Sequence, residues 1–171
     1  MKTSPDPATL PPFYQGYVAN VSNLDVMDAL RTTIAATDKL IRSIPEAKGD
    51  YRYAPDKWTI KELLCHMLDA ERIFAYRALR FARNDQTELP GFDEAQYAPH
   101  ANAHSRTLNQ MADEFKRLRV STIDLFESFT PEMLRRSGKA NNNLISVINL
   151  GYVIAGHEVH HRNILIERYL K

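Results

Sequence analysis

His157 and His161 stand four residues apart in Gly156-His157-Glu158-Val159-His160-His161, and on a helix Leu150, Ile154 and Ile164 would lie near the same azimuth. Side chains at i and i+4 sit one turn above each other, so these two imidazoles can reach a common atom. Two uncharged rings seldom gain by sharing an apolar face unless something binds them. Neutral imidazole is a good ligand for first-row divalent ions, and three such ligands leave coordination positions for water or substrate. His66, midway along an earlier helical segment, is the best-placed third ligand. The expectation is one divalent ion, with Zn, Ni, Mn and Fe not distinguished by imidazole ligands alone. Such an ion lowers the pKa of its water toward neutrality or holds a thiol as thiolate, and either species is a nucleophile.

Other residues near this pattern receive separate readings. His160 is rotated by about 100° from His161 and points elsewhere. The string from His157 to His161 also matches H-E-x-x-H, which puts Glu158 in the general-base position of zinc proteases. Those enzymes take a third ligand well downstream, and only Glu167 follows here. Glu158 is the catalytic candidate, with a partner to the ligands or an ordinary polar helix residue as alternatives. Arg77, on the same side of its helix as His66, Ala70 and Ile73, is the cofactor-binding candidate. His100 and His104 have ligand spacing but lie in a polar stretch that reads as solvated loop. Cys65 points about 100° away from its neighbour His66 and reads as a small core residue.

Four helical segments must position these groups. The first spans roughly Leu24 to Ser43, with Leu30, Ile34, Thr37 and Ile41 three or four apart, and stops before Pro45. The second opens at Thr59-Ile60-Lys61-Glu62, a capping-box pattern, and runs to about Arg83 with Ile60, Leu63, Leu64, Met67, Phe74, Ala78 and Phe81 on one face. The third covers about Thr107 to Phe129, where Thr130-Pro131 closes it and can open a short extra turn. The fourth follows Asn141-Asn142-Asn143, a run suited to turns and caps, and reaches about Tyr169. No strand-length alternation is evident, so the expectation is all-α: a four-helix bundle with long connecting loops. The loops are roughly Pro45 to Lys57 and Asn84 to Arg106, and the apolar Leu89-Pro90-Gly91-Phe92 suggests that the second lies against the bundle.

Composition bounds the rest. A chain of 171 residues, 44% apolar, supports one buried core, read as a single domain over 1–171 with residues 1–20 as an N-terminal extension. Lys and Arg number 22 against 21 Asp and Glu, so no strong field favours nucleic acid or an anionic membrane. The apolar runs are too short to span a bilayer, and Met1 to Pro12 lacks a signal-peptide pattern. The single cysteine forms no internal disulfide and fits a reducing cytoplasm. Phe13, Tyr14, Tyr17 and Val18 have no obvious bundle position; they suit either a homodimer contact or a fold-back over their own chain.

The stretch from Lys57 to Arg72, KWTIKELLCHMLDAER, resembles the second-helix motif of the DinB/YfiT-like superfamily, and Gly156 to Leu165 with Glu167 to Leu170 resembles its last helix. Arg77 to Arg83 and Leu89 to Glu94 are also similar to that group. The resemblance implies an up-down-down-up bundle with a three-histidine metal site at His66, His157 and His161. It implies an enzyme on a small-molecule substrate: first a transferase of a low-molecular-weight thiol such as bacillithiol, mycothiol or glutathione, with a metal-dependent hydrolase or a non-catalytic helical scaffold as alternatives. A homodimer is also expected from it.

Overall fold

The structure, a computed structural model, describes residues 3–171, so the first two residues of the expected N-terminal extension lie outside it. In chain order, a short α1 (Gln15–Ala19) precedes α2 (Val26–Ser43), α3 (Ile60–Ala82), the single turn α4 (Glu94–Tyr97), α5 (Leu108–Glu127) and α6 (Pro131–Arg135). A hairpin of β1 (Ser137–Ala140) and β2 (Asn143–Ser146) then leads into α7 (Val147–Ile164), which continues as a π-helical turn over Leu165–Tyr169. The long helices start where the sequence offers caps. The Asp25 and Ser146 side chains each accept from a first-turn amide. Thr59 with Glu62, and Thr107 with Gln110, form reciprocal capping boxes. Each such cap stabilises its helix by about 1 kcal/mol.

Contacts along the helices set their directions. Thr33 and Thr37 of α2 meet Glu158 and Arg162 of α7 in step, so those two helices run parallel. Arg31 pairs with Glu127 and Arg42 with Asp113, so α5 runs against α2. Cys65 faces Arg106 and Arg72 faces Glu114, which aligns α3 with α5. The bundle is therefore up-down-down-up. Because α3 and α5 run the same way, the chain must travel back along the bundle between them, which is why residues 83–107 form a long connection.

The core is two apolar clusters with a polar layer between them. One cluster gathers Leu30, Phe74, Phe81, Phe126 and Ile154; the other gathers Ile41, Ile60, Leu64, Met111, Phe115 and Leu165. On every bundle helix the boundary falls at buried polar residues: Thr33 and Thr37 on α2, Glu71 on α3, Arg119 and Thr122 on α5, and His157, Glu158 and His161 on α7. Buried polar groups persist only when they are hydrogen-bonded or bind something, so this layer is where function is expected.

The helical bundle is as the sequence leads one to expect, with one small addition: Ser137–Ala140 and Asn143–Ser146 pair antiparallel with Ala140 opposite Asn143. Asn141 and Asn142, at φ 51° and 60°, form its two-residue turn, and the fourth helix starts later, capped by Ser146. Strands this short, one of them Ser-Gly-Lys-Ala, carry neither alternation nor β-branched enrichment, so no periodicity betrays them. The N-terminal aromatic stretch folds over its own bundle: Val18 is buried and Tyr14 and Tyr17 pack on the core while Phe13 is exposed. Of the two alternatives for this stretch, the structure shows the fold-back over its own chain. Among the described residues, no helix is long and apolar enough to cross a membrane.

Candidate metal centre

α3 supplies His66, and α7 supplies His157 and His161 one turn apart. The Nε2 of His157 lies 3.0 Å from the Nε2 of His66 and 3.0 Å from that of His161. Around a tetrahedral ion with metal–nitrogen bonds of ~2.0–2.1 Å, ligand nitrogens stand roughly 3.3 Å apart. The cluster thus has the spacing of a ligand set, and the three histidines are a group that could hold a metal ion. Its proton arithmetic agrees. The single lone pair on His157 Nε2 can accept from only one neighbour, so no choice of tautomers satisfies all three nitrogens at once. With the Nε2 lone pairs turned inward, His161 carries its hydrogen on Nδ1, the one buried side-chain polar atom among the described residues without a hydrogen-bond partner. Such an orphan costs about 1–3 kcal/mol, a penalty that coordination would offset.

Burial also holds the rings in the ligating, neutral form. It pulls His66 down to about 4, with the charge of Glu94 acting weakly the other way. Burial pulls His161 to about 2, helped by His66 and His160, and His157 falls well below its ordinary value for the same reasons.

The centre forms the floor of a cavity of about 510 Å³, whose walls include Tyr14, Tyr17, Trp58, Phe74, Phe92 and Arg77. Tyr17 and Phe74 meet the His157 ring edge-on at 5.2 and 6.0 Å between centroids. Trp58 packs 4.9 Å from His66, and its carbonyl accepts from the Tyr169 hydroxyl at 2.8 Å. Tyr17 can approach only because residue 156 is glycine: a Cβ there would stand 2.0 Å from the Tyr17 carbonyl oxygen. The hairpin holds the cavity's outer rim. Leu89 exchanges backbone hydrogen bonds with Lys139 and Asn141, which places Gly91 and Phe92 beside Asn141 at the mouth. Arg77, 4% exposed, donates to the Pro90 carbonyl at 2.9 Å.

Glu158 does not line this cavity. The catalytic candidate of the sequence thus stands outside the cavity. One residue beyond His157, its side chain is turned by about 100° into the interface with α2 and α5. There it pairs with Arg119 at 2.7 Å and accepts from Thr33 and Thr37. His160 stands aside from the ligand cluster with its ring 5.0 Å from Tyr17. Cys65 is buried in the core, where burial raises its thiol pKa. His104 is exposed against Asp50 at 2.7 Å, and neither it nor His100 lines the cavity.

The sequence model of the DinB superfamily matches residues 29–165, which include all three histidines. The chain belongs to the DinB superfamily. Among solved structures, that of YfiT from Bacillus subtilis is similar with a TM-score of 0.70 and 13% identity, covering 97% of this chain and 91% of that one. YfiT is described as a probable metal-dependent hydrolase with an unusual four-helix bundle topology. The DinB-like YjoA from Bacillus subtilis is similar with a TM-score of 0.59 and 21% identity, over 82% of this chain and 86% of that one. At these identities the likeness concerns the DinB fold. No curated protein matches the chain in sequence.

Several cavity residues escape sequence reasoning. Tyr14 and Tyr17 carry only an i, i+3 aromatic pairing with no visible target, and Phe74 reads as ordinary core. Glu94, the only acidic residue among the described cavity lining, opens the single turn α4 in the long connection after α3, with no spacing of its own to mark it.

Proposed function

We propose that the chain is a divalent-metal-dependent hydrolase acting on a small molecule in the aromatic cavity. The observation that carries this reading is the convergence of three neutral Nε2 atoms on the floor of a cavity large enough for one small ligand. His66, His157 and His161 would hold the ion. When bound, it supplies Lewis acidity, which polarises a carbonyl or phosphoryl oxygen and acidifies water. The residues of this chain do the rest. Tyr14, Tyr17, Trp58 and Phe74 bind the apolar body of the substrate and exclude bulk water, which strengthens electrostatic interactions inside. Glu94, whose charge is felt at His66, is the carboxylate placed to take up a proton. The description of YfiT as a probable metal-dependent hydrolase supports this reading.

The test is metal analysis of protein purified without a histidine tag, followed by hydrolysis of a panel of small esters and amides before and after chelation. About one ion per chain and activity lost on chelation are expected. Full turnover after verified metal removal would refute the reading.

A second reading, transfer of a low-molecular-weight thiol, is favoured by one observation. Trp58 and His161 also line a second cavity of about 340 Å³, which offers room beside the centre for a second molecule such as a thiol. Cys65 is buried, so the thiol would come from outside the chain. Bacillithiol, mycothiol and glutathione, each added to the metal-loaded protein, test it: a raised melting temperature and conjugation to a chlorodinitrobenzene acceptor support it, and neither effect with any thiol excludes it.

A further inference from the structure

We propose that Arg77 is an anion-docking subsite of the cavity, so the molecule that binds over the histidine cluster carries a carboxylate on an apolar body. The protein has two deeply buried arginines, and it treats them differently. Arg119, 1% exposed, is held by Glu71 and Glu158. Arg77, 4% exposed, forms no ion pair with any described carboxylate. A buried cation is retained only where something compensates its charge, yet the partners of Arg77, the Pro90 carbonyl and the Tyr14 hydroxyl, are neutral. None of its remaining N–H groups is sealed in the core without a partner, so they open on the cavity. A strut between α3, the Leu89 to Phe92 loop and Tyr14 would need no charge, and an uncharged amide side chain could make such bonds.

The surroundings specify what is missing. The Arg77 guanidinium carbon lies 5.9 Å from the ring centroids of both Phe74 and Phe92, and the group lines the same cavity as the three histidines. Rings flank it, and the planar fork of remaining N–H groups suits the two oxygens of a carboxylate. Tyr14 hydrogen-bonds to the guanidinium and feels its charge, so its hydroxyl marks the apolar side of the subsite. Glu94 is exposed and lines the same cavity, so the lining is positive at its buried Arg77 and negative at exposed Glu94. An anionic group is thereby drawn to the buried site. Arg77 follows His66 by 11 residues, about three turns along the same face of α3, so a ligand that meets both is elongated, an apolar body with an anionic end.

Which end of the ligand reacts rests on the hydrolase reading; the anion preference does not. It is tested on metal-free protein, where a carboxylate cannot bind the ion, with 3-phenylpropionate and its neutral isostere 3-phenylpropanamide titrated by calorimetry or ligand-observed NMR. Wild type should prefer the carboxylate by at least about tenfold, the usual worth of a charge-assisted hydrogen bond. Arg77→Gln should abolish that preference and Arg77→Lys should keep part of it, with circular dichroism and melting confirming the fold. Equal affinity for the two probes, binding of neither, or a preference that survives Arg77→Gln overturns the subsite. If Arg77→Gln does not fold, the wild-type comparison alone decides. Ester hydrolysis by the metal-loaded enzyme without carboxylate preference would remove the subsite and leave the hydrolase standing. The preference without any hydrolysis would do the reverse.

Discussion

Arg119 on α5 and Glu158 on α7 meet at 2.7 Å in the middle of the core, each side chain 1% exposed. Glu71 on α3 binds the same guanidinium at 2.9 Å through both oxygens, and Thr33 on α2 accepts from it at 3.0 Å. All four bundle helices are thus tied in one hydrogen-bonded layer. His157 adjoins Glu158 in the chain and belongs to the same layer but turns toward α3 instead. The layer gives the bundle one register, because sliding any helix by a turn would strand a buried charge among apolar side chains.

Arg119→Met should destabilise the fold by about 3–5 kcal/mol, since it leaves Glu71 and Glu158 buried without their cation. Glu158→Gln should cost less, because the amide oxygen can still accept from Arg119 and Thr33, and only the bond from Thr37 must rearrange. Folded Glu158→Gln should bind as much metal as wild type. Urea denaturation and elemental analysis check both points; loss of the metal in a stably folded Glu158→Gln protein would return that carboxylate to the centre.

His66→Ala, His157→Ala and His161→Ala should each remove most of the bound metal, because two imidazoles make an incomplete shell. His160→Ala should retain it. Equal metal content in all four proteins would show that the cluster is not the ligand set.

Acid should weaken the metal-free protein. The folded values of His66, about 4, and His161, about 2, lie below the ordinary 6.5, and His157 is lowered as well. As pH falls below about 6.5 the unfolded chain binds protons that the folded chain cannot, so stability is complete above that pH and declines toward pH 4 and below. Each histidine adds a slope of up to about 1.4 kcal/mol per pH unit. Urea midpoints from pH 7.5 to 4.5 should show the decline in wild type and a shallower one in His161→Phe. A flat wild-type profile would mean that these rings are solvated.

Gly156→Ala should push α1 off α7, because the new methyl would meet the Tyr17 carbonyl at 2.0 Å. Overpacking of this kind costs about 1–3 kcal/mol, and here the displacement falls on the cavity wall. Ligand affinity should fall while metal content is kept. Unchanged melting and binding would show that the N-terminal segment does not close the cavity.

Much of the centre was legible locally. The pairing of His157 with His161 follows from a four-residue spacing and helical geometry, whatever surrounds them. Thr59 and Glu62 mark the start of α3 because a capping box needs only residues three apart. The apolar stripes of α2, α3 and α5 are readable for the same reason, since each helix has a solvent side to contrast with its buried one.

What tertiary structure decided depends on contacts that no local spacing encodes. From Val147 to Glu158 every residue of α7 is buried, so its sequence has no stripe to say which face meets α2 and which meets α3. His157 and Glu158 differ by one residue, yet one reaches the cavity and the other an ion pair with Arg119, because packing on two different neighbours set the azimuth. The approach of His66 to 3.0 Å from His157 spans 91 positions of chain and exists only once α3 lies against α7. Tyr17 at the wall, Arg77 without a counter-ion and the Asn141–Asn142 turn beneath the rim are of the same kind. Each is a property of which surfaces meet, and a single chain read residue by residue carries the surfaces but not their pairing.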